Sequence, residues 1–397
     1  MARFVILGSG FGGSYAALHL SSKLGKDDKL VIINPIDTFV FSPLLHEVAT
    51  GSLSEQDVTI PLASFLRNVK IIRSTVKSID FTKKTVKTST ANVPYDYLLI
   101  ALGSMLNKAV IPKGVKENDV LLLKTLDDAQ KMKAALAQVA EQQQRTGKDL
   151  RILTVGAGAT GIEITSEIRT FFRKRKGNGK IHIIMLQNLA DIFPDKPEKF
   201  RKKIKDQLVK LDITIIYNSS LLSLKNGKAT IKTGEKTAEK IETFDTSLVI
   251  FTAGVVPVAI ETLPKVTNER GSFPVNEFLE VQGAENVWAI GDIAYYVNPV
   301  DKKPMPMLAQ AARDEATCVA GNMLEKKAGK QQRAYKFYSK GFLMSVGRGN
   351  GVGELFGIIL SGWLLWWLKR TVYAVAFPGL RNKIRAFWKL SVVSLFK

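Results

Sequence analysis

Short, almost wholly apolar runs alternate along this chain with longer stretches of helical character. Residues 3–7 (RFVIL) and 30–34 (LVIIN) are apolar without interruption and too short for buried helices. Such runs suit strands of a parallel sheet covered on both faces. Between them, SYAALHLSSKL reads as a helix, completing a strand–helix–strand unit. Residues 95–103 (YDYLLIALG) predict another buried strand ending at a glycine, and 126–145 predict a charged, Ala- and Gln-rich helix. The opening pattern then returns: RILTVG (151–156) as strand, IEITSEIRTFF as helix, IHIIML (181–186) as strand. SLVIFTAG (247–254) and ENVWAIGD (285–292) each read as a strand running into a glycine-containing turn. The recurrence is an internal duplication of one unit.

Each first strand meets its helix through GxGxxG. The loops are Gly8-Ser-Gly10-Phe11-Gly12-Gly13 and Gly156-Ala-Gly158-Ala-Thr160-Gly161. A dinucleotide pyrophosphate is bulky and doubly negative, and a helix N-terminus offers it unpaired N–H groups and the positive end of the dipole. The first glycine permits the tight turn, the second lets backbone approach the phosphates, and the third lets helix pack on strand. One such loop is weak evidence. Two, each framed strand–loop–helix–strand, predict two dinucleotides held by one protein. The acidic residue that normally binds the adenosine ribose about 20 residues on is missing from both copies: Asn34 stands in the first, with Asp37 nearby, and Gln187 in the second. An amide still accepts a hydrogen bond from a ribose hydroxyl. Without a negative charge, Gln187 does not repel a 2′-phosphate, so NADPH is expected alongside NADH.

The 397 residues allow two or three domains with a sizeable core. A formal net charge of +21 favours anionic partners: nucleic acid, acidic lipid or phosphate-bearing ligands. No nucleic-acid motif is visible, and no nucleic acid is expected as partner. The single cysteine, Cys318, excludes an intramolecular disulfide and a Cys-based metal site. It falls in a helix and reads as a small core residue. The three histidines, His19, His46 and His182, lie too far apart for metal-ligand spacing; His46 reads as a structural or surface residue in a loop. No metal is expected. Met1-Ala-Arg leads straight into a strand, so no signal peptide is expected and folding should begin in the cytoplasm.

From Leu355 onward the character changes. This segment has no acidic residue, seven basic ones, and four of the five tryptophans (Trp363, Trp366, Trp367, Trp388). The apolar run 355–368 is shorter than the roughly 20 residues of a spanning helix and is ended by Lys369-Arg370. Further on, Ile384, Phe387, Trp388 and Ser391 share one helical face, with Leu390 and Val393 among the apolar residues and Arg381, Lys383, Arg385 and Lys389 between them. This is the pattern of helices lying in a membrane interface, with all seven cations available to anionic lipid. A soluble helix pair closing a dimer is the alternative.

With FSPLLHEVATGSLS (41–54), GAGATGIEI (156–164), FTAGVVP (251–257), AIGDIA (289–294), LAQAARDEATC (308–318) and the Trp-rich basic tail, nearly the whole chain resembles the type II (alternative) NADH dehydrogenases, within the pyridine nucleotide-disulfide oxidoreductase superfamily. The resemblance implies an α/β fold: two Rossmann-type domains, for FAD and NAD(P)H, and a C-terminal amphipathic helical membrane-binding region. The expected boundaries are 1–112 and 266–330 for the FAD domain, 113–265 for the NAD(P)H domain, and 331–397 for the membrane region.

It also implies site residues. FAD contacts fall on Gly8, Gly10, Phe11, Gly12, Gly13, Asn34, Ala101, Gly103, Gly291 and Asp292, the last holding the ribityl chain. Contacts with the second dinucleotide fall on Gly156, Gly158, Thr160, Gly161 and Gln187, and Gly254 is a further cofactor-binding position. Ala309 and Gln310 lie beside the isoalloxazine ring, where quinone docks, and Glu163 lies near the nicotinamide and quinone sites; Glu163 and Gln310 are the candidate catalytic residues. Plainer roles stand beside these: Asp292 as a helix cap, Glu163 as a carboxylate favoured by a helix dipole, Gln310 as a helix-terminal amide. The family's AQxAxQ continues here to Asp314 instead of the second glutamine.

Cousins that reduce disulfides or hold sulfide need cysteines that Cys318 cannot supply, and Ser42 stands about where peroxidase relatives carry their redox cysteine. The expected reaction is therefore oxidation of NAD(P)H through FAD with reduction of a membrane quinone, without proton pumping. The expected protein is a peripheral homodimer on the cytoplasmic face of a cell membrane, or on the matrix or stromal face of an organelle membrane. A soluble electron carrier as acceptor, or a flavoprotein that binds nucleic acid, are the alternatives.

Overall fold

The strand carrying the first glycine loop, Arg3–Leu7, lies at the centre of a five-stranded parallel sheet. The spatial order is Val287–Ala289, Tyr97–Ile100, Arg3–Leu7, Lys29–Asn34, Val69–Arg73. Val5 sits opposite Val31 on one side and Leu98 on the other, and Phe4 to Leu7 are fully buried, which is why this strand is apolar throughout. The structure, a computed structural model, describes residues 1–175, 179–234 and 239–392.

The second sheet repeats the arrangement: Leu121–Leu122, Leu248–Phe251, Leu150–Val155, Ile181–Leu186, Ile213–Ile216, all parallel. In both sheets the glycine-loop strand is where successive connections turn to opposite sides. That switch point opens a crevice at the carboxyl ends of the strands. Helix Phe11–Ser21 packs against helix Ala309–Lys327, and helix Leu126–Thr146 opens on a Thr125–Asp128 capping box and closes at Gly147 in the left-handed region.

The tail departs from an all-helical expectation. Strands Gly341–Ser345, Gly351–Leu355 and Ile358–Gly362 form an antiparallel sheet. Phe356 and Gly357 both have positive φ, the backbone of a two-residue hairpin turn matched to strand twist. The apolar run 355–368 is therefore part strand; the helix begins at Trp363 and ends at Val375. A second helix, Leu380–Phe387, runs into a π-helical turn, Trp388–Val392. That turn shifts the helical phase, so Ser391 is buried while Leu380, Ile384, Phe387 and Trp388 form the exposed stripe. Val393 lies outside the described residues. Among the described residues no helix is long and apolar enough to cross a membrane.

The tail is fastened to the body. Tyr15 Oη donates to the Ala376 carbonyl at 2.7 Å, and Phe377 stacks on Phe41 with centroids 4.3 Å apart. Phe41 in turn meets the edge of Phe11 in the first glycine loop.

Candidate active site

The two loops are built by the same bonds. Gly8 N–H donates to the Ile33 carbonyl and Gly156 N–H to that of Leu186, both at 2.9 Å. Asn34 Oδ1 accepts from Ser9 N–H at 3.2 Å while its Nδ2 donates to the Ile36 carbonyl. Gln187 Oε1 accepts from Ala157 N–H at 3.3 Å while its Nε2 donates to the Asp191 carbonyl. The amides standing where an acid was expected thus knit each loop to the end of its second strand.

The glycines divide by what a side chain would meet. Gly8 and Gly156 have φ of +94° and +104°, a region costly for other residues. A Cβ on Gly13 or Gly161 would lie 2.0 Å from the carbonyl oxygen of Gly8 or Gly156. A Cβ on Gly10 or Gly158 would meet nothing within 4 Å. Those positions face open space at the starts of helices Phe11–Ser21 and Ala159–Arg173, and neither helix N-terminus has a side-chain cap. Free N–H groups facing a Cβ-free opening fit a dinucleotide pyrophosphate at each loop.

The remaining predicted residues gather at the same crevices. Gly12 faces the Ile290 side chain, with Ala101 behind it. Gly103 and Gly254 occupy positive-φ turns, and Thr160 is exposed in the first turn of its helix. Gly291 and Asp292 form a short 3₁₀ turn after strand Val287–Ala289. Asp292 accepts a hydrogen bond from Ser104 Oγ and lies 3.8 Å from Lys124 Nζ, so it does not serve as a helix cap. Ala309 and Gln310 begin helix Ala309–Lys327, half-exposed. Asp314 is exposed, 3.4 Å from Tyr335 Oη. Cys318 lies on that helix, only half-buried, and burial pushes its thiol up to about 11.

A buried ionic centre lies behind the second loop. Glu163 receives the Lys369 ammonium and, at 3.0 Å, the Ser345 N–H; Lys369 also donates to Ser345 Oγ at 2.9 Å. Arg370 holds both oxygens of Glu47, at 2.7 and 2.8 Å, and donates to the Leu390 carbonyl. His46 Nδ1 is 3.9 Å from Glu163, and its Nε2 is buried without a partner among the described residues. His46 is therefore neither a loop nor a surface residue: it sits in helix Leu45–Ala49. Lys369 is 1% and Arg370 6% exposed, so two of the seven tail cations are paired inside the protein and are not lipid-facing.

Burial pushes the Glu163 carboxyl up, but Lys369, His46 and the Ser345 N–H outweigh it and hold it below the usual range. Burial pushes Lys369 down, and Glu163 and Tyr373 outweigh it, so the ammonium is held above its ordinary value. Burial likewise raises Glu47, and Arg370 with His46 reverses the sign. Glu167, one turn beyond Glu163, is different. Burial pushes it up to about 7, the Glu47 charge adds to this, and its bond from Ser52 Oγ at 3.3 Å offsets only part.

The folded protein thus holds a proton on Glu167 that the unfolded chain, with a carboxyl near 4.5, has already given up. Its contribution turns against stability as pH rises from about 4.5 through about 7. Glu167→Gln should therefore gain melting temperature over the wild type progressively between pH 5 and pH 8. A difference independent of pH would refute this.

Residues 2–316 match the family model for pyridine nucleotide-disulphide oxidoreductases. The chain belongs to this family. Type II NADH:quinone oxidoreductase NdhA of Mycobacterium tuberculosis is 27% identical, over 98% of this chain and 87% of its own. Demethylphylloquinone reductase NdbB of Synechocystis is also 27% identical, over 96% and 94%. The fold is shared with NDH2 of Plasmodium falciparum, solved in complex with NADH: TM-score 0.85 at 19% identity, covering 98% of this chain and 97% of that one.

Within this pyridine nucleotide-disulphide oxidoreductase, the residues that sequence reasoning missed are His46, Glu47, Glu167, Lys369 and Arg370. One signal was available. Glu163 and Glu167 are four residues apart, hence on one face of a helix, next to Ile162, Ile164 and Ile168.

Proposed function

We propose that this chain oxidises NADH, and also NADPH, through FAD held at the first glycine loop, and reduces a quinone dissolved in a membrane. The names of the two bacterial relatives support the reaction class. The observation that carries the reading is the joining of Glu163, on the helix behind the nicotinamide loop, to Lys369, on the apolar tail. The chemistry FAD supplies is two-electron acceptance from a nicotinamide and delivery to an acceptor. The residues do the rest. Gly8 to Gly13 and Asp292 hold and orient the flavin, and Gly156 to Gly161 hold the nucleotide. Gln187 presents no charge to a 2′-phosphate. Glu163 and Lys369 form a buried ion pair that fastens the tail to the helix behind the nicotinamide loop; Gln310 offers an amide at the opening beside the Asp292 turn.

The test follows flavin absorbance in detergent-purified protein. NADH should bleach it, NADPH should do so with an efficiency within about a hundredfold, and a quinone should restore it. Bleaching without restoration would discard quinone as acceptor; no bleaching would discard the second loop as a nicotinamide site.

The tail supports a peripheral membrane location. Phe356, Leu364, Leu380, Ile384, Trp363 and Trp388 are all more than half exposed, and Arg381 lies among them. Exposed Trp and aliphatic side chains beside cations suit a lipid interface. Vesicles containing acidic phospholipid should sediment the protein, and Leu380→Asp with Ile384→Asp should weaken that binding at least tenfold. Unchanged sedimentation would leave the stripe to a homodimer.

A further inference from the structure

Among the described residues, one buried acid lies outside the ionic centre. Glu315 is 2% exposed on helix Ala309–Lys327, and its Oε2 accepts a 2.6 Å hydrogen bond from the Gly291 N–H. Gly291 opens the turn that carries Asp292, and a Cβ added to it would lie 3.3 Å from the Ala312 side chain. Helix and turn are therefore in contact, with the Glu315 carboxyl joined to the turn's backbone. The same helix starts at Ala309-Gln310.

The charges around Glu315 do not neutralise it. Asp292 on the turn and Asp314 on its own helix both act against a carboxylate. Tyr296, Tyr335 and Cys318 also face it, and each has its own ionisation raised by burial first and by the Glu315 charge in addition. Helix Phe11–Ser21, packed alongside, brings Tyr15 beside Arg313 and His19 beside Thr317. A buried carboxyl that lacks a cation and neighbours two others retains its proton toward neutrality. Burial pushes Glu315 up to about 7, against the opposing Gly291 bond.

We propose that Glu315 is a positioning residue of the flavin site that takes a proton from water as the bound flavin gains electrons and returns it when they leave. The inference rests on FAD binding at the first loop. Electrons arriving on the flavin add negative charge beside the Asp292 turn, which makes a carboxylate at Glu315 costlier and its protonated form cheaper. By linkage, a proton on Glu315 eases electron uptake, and its loss hinders it.

The test uses the full-length flavin-loaded protein, wild type and Glu315→Gln, with flavin reduction balanced against a reference dye from pH 5.5 to 8.5. The glutamine keeps an acceptor for the Gly291 N–H and carries no charge. At pH 5.5 the two should be reduced to the same extent. By pH 8.5 the wild type's reduced-to-oxidised ratio should fall roughly three- to tenfold below that of the variant, with the step near neutrality and flavin content unchanged. A merely structural role would shift both profiles in parallel, and parallel profiles overturn the inference. Should Glu315→Gln fail to accumulate, Glu315→Asp keeps the carboxyl while moving its surroundings, and the pH of the step should move with it; an unmoved step also overturns the inference. A chain that takes up no flavin overturns the FAD reading itself, and this one with it.

Discussion

Replacing Arg370 by methionine is expected to cost about 3–5 kcal/mol of folding stability, the scale for removing one partner of a buried pair. The guanidinium holds both Glu47 oxygens, closes on the Leu390 carbonyl and lies 4.7 Å from the Trp366 ring. Methionine fills much of the volume but leaves Glu47 as an unmatched buried charge close to Glu167. Adding Glu47→Gln should recover most of the loss, because a buried pair contributes far less when both members leave together. Urea midpoints of the wild type, both single variants and the double variant supply the measurement. A loss under about 1 kcal/mol in Arg370→Met would show that water reaches the pair.

The second large effect separates two glycines of one loop. Gly158→Ala should leave the fold intact, since its methyl meets no atom within 4 Å. It should nevertheless weaken nicotinamide binding by about a hundredfold, a penalty of about 2.7 kcal/mol, because the methyl enters the space where backbone must approach the phosphates. Gly161→Ala should instead damage the fold, its methyl driven to 2.0 Å from the Gly156 oxygen. Melting temperature and NADH titration of flavin absorbance together make the distinction. A Gly158→Ala protein with undiminished NADH affinity would show that the pyrophosphate rests elsewhere.

The two loops were legible because everything that defines them is local. Strand, glycine spacing, helix and the residue ending the second strand fall within about thirty residues, and the Asn34 and Gln187 bonds follow from that short-range layout. The ionic centre was not legible because its members come from three distant segments. Glu163 could be taken for a helix-terminal charge, His46 for a surface residue, and Lys369-Arg370 for the polar edge of a lipid-facing run. Which charges pair depends on the tail folding back over helix Ala159–Arg173, and nothing local in the sequence specifies that return. The tail hairpin left a trace in Phe356-Gly357, but the apolar residues around it matched a helical run equally well. Asp314 stands out in the sequence as a departure, yet the adjacent Glu315 is the residue that turns inward, a matter of helical phase against the Gly291 turn.

The strand order of the first sheet has a consequence for how the chain is made. The second sheet is assembled from one continuous stretch, Leu121 to Phe251, and can close as soon as that stretch leaves the ribosome. The sheet begun at Arg3 must wait for Val287–Ala289 to complete its edge. The buried Glu163 and Glu47 carboxylates wait longer still, for Lys369 and Arg370. During vectorial synthesis the inserted unit therefore stands finished while the unit that began first is still open. A chain that stops before residue 369 leaves Glu163 and Glu47 without the Lys369 and Arg370 charges that are buried with them.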